Sequence, residues 1–410
     1  MQDELTVPAV ATGLVSTGPD IEIVLHPFPR SKLNRISGDL SGAFADLGTF
    51  LPIVIAVLAL QQINPSGLFV GFGLFALAVA LIYRRPIPVQ PMKVVAAVVI
   101  AQNLDAQTIA ASGVLLGMAV LLLSLSGALD YIARKIPNPV LTGIQLGVGL
   151  LLGWAGLQLI IMQPWIGLIA AAALFALLAT PLKPFAAIFV IAGASLWSLA
   201  TRNAPLPELT FAIHVPQWVE FGWQPIWTSA QTILLPQLAL TLTNAIIATA
   251  ALAARFYPEE KKRISPIRLG ITTGALNLLL APFGAFPMCH GAGGLVVQHR
   301  FGARSWLAPA LFGLCMLALG LFLGQDALKL LLLIPLSAVG ALLLYAGFEL
   351  AWSRSLGTSS PHELAIILIT GLCCLLLNVA LGLLAGLLAA AISKRILSSQ
   401  TGAKEMKHGE

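Results

Sequence analysis

The sequence predicts an all-α polytopic membrane protein with fourteen transmembrane segments, a seven-plus-seven inverted repeat in which segments 3 and 10 are half-helices. Three observations lead there. Hydrophobic residues are 58% of the chain, charged residues only 10%, and the mean hydropathy is +0.91, far from the balance of a soluble domain of this length. Two segments about 200 residues apart share one punctuation, Gln90-Pro91-Met92-Lys93 and Phe286-Pro287-Met288-Cys289-His290. Each Pro-Met opens a run of small apolar residues that reaches a Gln ten positions after the Met, Gln102 and Gln298. Third, the basic residues sort to one side of the membrane once the segments are counted.

The N-terminal tail, residues 1–35, contains Asp3, Glu4, Asp20 and Glu22, lacks an apolar signal core, and reads as a polar cytosolic tail with a short strand near Ile21–Leu25. Apolar runs then give spans at 37–60, 68–83, 91–103, 108–127, 138–161, 164–180 and 184–200. After the polar loop Thr201–Gln224 the second half gives 227–254, 267–281, 287–298, 304–324, 327–348, 362–378 and 380–396, with a short C-terminal tail at 398–410. The Pro-Met runs make helices of roughly 16 Å, about half of a ~30 Å hydrocarbon core. With both termini in the cytoplasm, 20 of the 23 Lys and Arg fall on the cytoplasmic side, among them Arg84, Arg85, Arg134, Lys135, Lys183, Arg255, Lys261, Lys262, Arg263 and Arg304. Arg202 and Lys329 fall outside and Lys93 within the membrane, the asymmetry that the positive-inside rule demands.

Seven spans per half make the second copy enter from the opposite side, and the Pro-Met segment is third in each. First spans correspond as well. On a 3.6-residue wheel Asp39, Gly42, Asp46 and Thr49 share a stripe, as do Gln237, Thr241 and Asn244. Polar stripes on membrane helices face a cavity or another helix. Cys289, Cys315, Cys373 and Cys374 sit inside apolar runs, against a disulfide framework or a zinc site. The pI near 9.3 reflects loop topology, not nucleic acid. No paired catalytic carboxylates, HExxH or Ser/His/Asp set stands out, so the chain does not read as an enzyme.

Gly38-Asp39-Leu40-Ser41-Gly42-Ala43-Phe44-Ala45-Asp46-Leu47-Gly48-Thr49-Phe50-Leu51-Pro52, with Pro88-Val89-Gln90-Pro91-Met92-Lys93 and Phe286 to Leu295, resembles the molybdate transporters related to the SulP sulfate permeases, over about residues 36–396. The resemblance implies the seven-plus-seven fold shared with nucleobase transporters, with a core domain moving against a gate domain. The core would comprise 36–127 and 226–325, and the gate 128–225 (with the extracytoplasmic loop) and 326–397. Only about fourteen residues follow the last span, too few for the STAS domain of the wider permeases; the molybdate branch is similar in lacking it. Span 8 has no acidic residue, whereas nucleobase transporters of this fold commonly place a glutamate there. A sulfate transporter, an anion channel and, less favoured, a nucleobase transporter are the alternatives.

A tetrahedral dianion calls for about two positive charges and several donors. Two half-helix N-termini supply roughly +0.5 each and an ionised Lys93 one more, so no metal and no cofactor is required. Lys93 either serves the anion or snorkels and pairs with Asp46. His290 either donates to the oxyanion or carries a proton, or is a packed histidine on a backbone carbonyl. Met288 and Cys289 read as packing residues whose backbone N–H groups matter more than their sulfur, Met92 is counted with the substrate-binding residues, and Gly291, Gly293 and Gly294 offer bare backbone or close packing. Gln90, Gln237, Thr241, Asn244 and Thr49 are neutral donors, or interhelical hydrogen bonds. Asp46 beside a dianion has to be protonated, paired or turned away, which makes it, with His290, a proton-coupling candidate. Asp39 reads as a helix-start residue. The expected partners are molybdate or sulfate, protons and membrane lipids, with a homodimer left open and no nucleic acid. The expected location is the cell membrane, the inner membrane in a bacterium.

Overall fold

The computed structural model describes residues 32–61, 63–180, 185–201, 207–352 and 354–407; the expected strand near Ile21–Leu25, Lys183 and Arg202 lie outside these. Helix starts follow local capping chemistry. Lys32–Ala43 (α1) and Leu47–Gln61 (α2) are joined by a turn at residues 44–46. Pro65–Tyr83 (α3) begins at Asn64, whose Oδ1 accepts from the Ser66 N–H at 2.9 Å, and Pro65 takes the first position, where no N–H is needed. Gln90–Pro91 (β1) leads into Lys93–Gln102 (α4). Asp105 caps Ala106–Leu125 (α5) by accepting from Thr108 N–H at 2.9 Å. Leu129–Lys135 (α6), Asn138–Met162 (α7), Pro164–Leu178 (α8) and Ala186–Thr201 (α9) complete the first half.

The second half opens with Trp223–Phe256 (α10), 34 residues long, with wide π-type turns at Ala230–Leu234 and Thr241–Ala248. Pro266–Leu280 (α11), Met288–Cys289 (β2), Ala292–Arg300 (α12) and Leu307–Leu323 (α13) follow. Gln325–Leu331 (α14) turns away from α13 by 110°. Leu336–Ala351 (α15), Arg354–Thr358 (α16), Pro361–Leu376 (α17) and Val379–Lys407 (α18) end the chain. Among the described residues seven helices are long and apolar enough to cross a membrane, or eight with the bent pair. The half-helix α4 and helices α8, α9 and α17 are apolar but shorter.

Two expected boundaries are corrected. The first span, Ile36–Leu60, stays one span and carries a turn at residues 44–46. The second half-helix starts at Ala292, not at 287, because Met288 and Cys289 are taken into the strand pair with Gln90 and Pro91. The expected span 327–348 is divided into α14 and α15, with Pro335 opening the second piece.

Helix packing crosses the two halves: α11 lies on α5, α13 on α3 and α1, and α15 and α17 on α7. Small residues let backbones touch. A Cβ on Gly117 of α5 would come within 2.6 Å of Leu278 N and 2.8 Å of Gly274 O, and one on Gly156 of α7 within 2.6 Å of Gly340 O. Helices α1–α5 and α10–α13 meet α7–α9, α15, α17 and α18 through α4 against α7, α2 against α15 and α9, and α10 against α18.

The two ends of the bundle differ. At one, Arg85 bonds Glu259 at 2.7 Å, Arg263 pairs with Glu260 at 2.9 Å, and Arg85 donates to the Arg304 carbonyl at 3.3 Å. Asp39 belongs to this network and does not start a helix. It is buried within α1, and its carboxylate accepts from the N–H groups of Arg304 at 2.7 Å and Ser305 at 2.9 Å and from the Ser305 hydroxyl. That pins the turn before α13 to α1. At the opposite end the chain at 207–222 lies across the bundle: His214 N–H donates to Leu321 O at 2.7 Å, Val219 N–H to Pro282 O at 2.8 Å and Thr210 N–H to Asp326 at 2.6 Å.

Candidate functional site

The two Pro-Met breaks meet. β1 and β2 pair antiparallel, Gln90 opposite Cys289 and Pro91 opposite Met288, and Met92 N–H donates to Pro287 O at 2.9 Å. Extended backbone inside an apolar bundle has to satisfy its polar groups locally, and each break does this for the other. Both half-helices therefore start from one place, α4 at Lys93 and α12 at Ala292. Asn277 of α11 fixes the second break: its Oδ1 accepts from Met288 N–H at 2.8 Å and its Nδ2 donates to Met288 O at 2.6 Å. Sequence reasoning missed Asn277; its signal was a lone amide within an apolar helix.

At the α4 N-terminus the acceptor is Gln237. Its Oε1 takes Val94 N–H at 3.0 Å and Val95 N–H at 3.4 Å, and its Nε2 donates to Thr241 Oγ1 at 2.9 Å. Gln237 and Thr241 were expected as anion donors; in this conformation they are buried and occupied in capping α4. A half-helix start leaves orphan N–H groups, and the nearest acceptor takes them. Asn244, one turn on, is half-buried.

At the α12 N-terminus the cap residue is Gly291, with no side-chain cap. The Gln90 amide lies over this backbone, leaving no room for a Cβ on Gly291. A Cβ on Gly294 would stand 2.8 Å from Gln90 Nε2 and 3.0 Å from Asp46 Oδ2. Gln90 Nε2 donates to Asp46 Oδ2, so a carboxylate already sits beside the first turn of α12. Gly293, by contrast, is exposed and a Cβ there would meet nothing within 4 Å.

Lys93 is half-buried at the opening of α4 and acts electrostatically on both Asp46 and Cys289. Among the described residues it forms no ion pair; the close partner of Asp46 is Gln90. Thr49 is half-buried beside Asp46, while Met92, Met288 and Cys289 are buried in the strand pair. His290 is fully buried and faces elsewhere. Its Nδ1 donates to Pro88 O at 3.1 Å, and its Nε2 lies 3.3 Å from Thr272 Oγ1, which is 2.6 Å from the Tyr83 hydroxyl. The rings of Phe75 and Tyr83 stand edge-on to it at 5.7 and 5.8 Å. Of the two readings of His290, this placement favours the packed histidine on a carbonyl.

A gap of about 20 Å³ lies between Asp46, Phe50, Ile87, Gln298 and Phe312, room for about one water. A cavity of about 460 Å³ elsewhere, lined by Gln163, Trp197, Ser198 and Ser337 among others, contains none of the expected site residues. Among the described residues no group of three or more His, Cys, Asp or Glu could hold a metal.

A family model described as "Molybdate transporter of MFS superfamily" matches residues 38–152 and 229–350. Molybdate transporter 2 of Arabidopsis thaliana is 30% identical over 386 residues, 82% of each chain. Molybdate transporter 1 of Chlamydomonas reinhardtii is 28% identical over 471 residues, covering 86% of this chain and 90% of that one. Among solved structures, the transmembrane domain of the cyanobacterial bicarbonate transporter BicA superposes with a TM-score of 0.62 at 17% identity, covering 87% of this chain and 97% of that one. Murine Slc26a9, an anion transporter in an inward-facing state, gives 0.63 at 12% identity, covering 91% and 70%. The family description speaks of MFS, but the fold is that of these two proteins, with paired half-helices where MFS transporters have two six-helix halves.

Proposed function

Because the chain belongs to the molybdate transporter family, and is thus a membrane anion transporter rather than an enzyme, we propose that it is a secondary active importer of a tetrahedral oxyanion, with molybdate preferred to sulfate. The observation that carries this is the strand pair that starts α4 and α12 from one place, with Lys93 on the first turn of α4. Two helix N-termini and one ammonium sum to about +2, which balances a dianion. Lys93 supplies the full charge, Thr49, Gln90 and Asn244 supply neutral donors, and the backbone from Cys289 through His290 to Gly291 lines the approach, with Met92 and Met288 holding it in place through N–H bonds to Pro287 O and Asn277 Oδ1. Gln237 and Thr241 leave the α4 N–H groups when the anion arrives, or hold them in place beside it.

The gap next to Asp46 is too small for an oxyanion, so loading needs a second conformation. An elevator movement of α1–α5 and α10–α13 against α7–α9, α15, α17 and α18 provides it, and the packing of α11 on α5 and α13 on α3 within one group, and of α15 and α17 on α7 within the other, supports that division. Proton coupling rests on Asp46, whose carboxylate beside the α12 N-terminus would repel a dianion unless protonated. His290, with both ring nitrogens held, positions the second break. The fourteen-span topology, with both termini cytoplasmic, belongs to the same proposal. The test is uptake of labelled molybdate and sulfate, in competition at submicromolar concentration, by the full chain in proteoliposomes. Saturable molybdate uptake is expected. Conductance without counterflow would mean a channel, and preferential uptake of sulfate would reassign the substrate.

A further inference from the structure

Gln298 ends the second Pro-Met run as Gln102 ends the first, but their settings differ. Gln102 reaches the surface, whereas Gln298 is 5% exposed and its Oε1 has no hydrogen-bond partner. A buried amide oxygen left unpaired is destabilising until a donor reaches it. Gln298 stands one turn beyond Gly294 on the same face of α12, and helical side chains lean back toward the N-terminus. Asp46 Oδ2 lies over Gly294, and both Asp46 and Gln298 line the gap of about 20 Å³. The rest of that lining is alanine, leucine, isoleucine, valine, proline and phenylalanine.

The missing donor has restricted chemistry. A hard metal cation takes about six oxygen ligands, and this gap offers a carboxylate and one amide oxygen among apolar side chains. A proton needs only a carboxyl to carry it and an acceptor to receive the bond. We propose that this gap is the coupling-proton site: protonated Asp46 donates its O–H to Gln298 Oε1, directly or through one water, and Gln298 thereby sets the pH at which the proton is taken up. Two charged groups act on Asp46, Lys93 from α4 and Glu349 from α15. Gln90 bonds the same carboxyl and Thr49 lies beside it. The gap-lining residues of α3, α12 and α13 carry no charge, and His290 is turned onto Pro88 and Thr272. Protonation removes a negative charge beside the α12 N-terminus, so proton and dianion raise each other's affinity. In this the inference rests on the oxyanion reading above.

The experiment measures molybdate affinity of the purified full chain between acid and alkaline pH, together with the infrared carbonyl stretch of a protonated carboxyl. In the wild type affinity should rise on acidification, by up to tenfold per pH unit. Gln298→Met keeps the volume and removes the acceptor, and should move the midpoint about one pH unit lower, the equivalent of one hydrogen bond. Asp46→Asn gives Gln298 a permanent N–H donor; its binding should be pH-independent and its carboxyl band lost. An unchanged midpoint in Gln298→Met overturns the proposal. So does a midpoint moved upward, which would mean that the amide donates to an ionised Asp46. If Gln298→Met fails to fold, persistence of the pH dependence or of the carboxyl band in Asp46→Asn overturns it just as well. A wild type that binds no oxyanion at any pH defeats the oxyanion reading instead, and the carboxyl band still reports on the proton site.

Discussion

Lys93 and Asp46 approach one half-helix pair from opposite electrical sides. Because Gln90 holds Asp46, the Lys93 charge is not neutralised by a partner in contact. Lys93→Met should weaken oxyanion binding by roughly ten- to hundredfold, the worth of a charge-assisted bond of about 1.5–3 kcal/mol. Unchanged affinity in a folded variant, by titration of the purified protein with molybdate, would assign the lysine to structure. Glycine is needed at 294 for a different reason: an added methyl meets the Gln90 and Asp46 side-chain ends at 2.8 and 3.0 Å and Pro88 Cβ, a ring carbon able to give only a few tenths of an ångström, at 3.0 Å. Both ends can shift, so Gly294→Ala should fold yet lose uptake. Gly193→Ala, where a Cβ meets nothing within 4 Å, should transport normally; equal uptake by the two would deny the crowding a role.

The elements that matter most are the shortest. Two strands of two residues each hold both half-helix starts, and side chains from α10 and α11 secure them. Asn277→Leu would strand the Met288 N–H and carbonyl in an apolar interior, at about 1–3 kcal/mol for each unsatisfied group. Thermal unfolding in detergent should show the loss, with Asn277→Asp intermediate because it keeps the acceptor and drops the donor. Equal stability of the leucine variant would mean that other groups reach Met288. Wide π-type turns in α10 lie on both sides of Gln237, and such turns recur where a helix re-aims a functional side chain.

For the whole molecule, moving a dianion into a cell against an inside-negative potential costs about 4.6 kcal/mol per 100 mV, at ~2.3 per charge. On the proton-coupled import proposed above, two protons would make the step electroneutral and three would let the potential drive it. Uptake should accelerate at acidic outside pH, and sodium-driven or exchange-driven uptake without pH dependence would rule protons out. Topology has its own check. Single cysteines at positions 263 and 183, replacing Arg263 and Lys183, should label from the same cytoplasmic side; labelling from opposite sides would break the seven-plus-seven count.

The membrane class, the apolar helices, the repeat and the location of the two breaks follow from hydropathy and from Pro-Met spacing, because these are local properties of a chain in lipid. Family membership was legible too, in the three motifs around Asp39, Gln90 and Pro287. Partnerships were not. That Gln237 caps α4, that His290 turns to Pro88, that Asp39 anchors the turn at Arg304 and that Gln90 bridges Asp46 to α12 are contacts between residues 44 to 265 positions apart. A wheel drawn on the first span joined Asp39 to Asp46, whereas Asp39 accepts from the Arg304 and Ser305 N–H groups and Asp46 from the Gln90 amide. Sequence determines which polar groups have to be satisfied inside the membrane. Only tertiary packing decides which partner satisfies each, because a hydrogen bond depends on a few tenths of an ångström that no spacing rule contains.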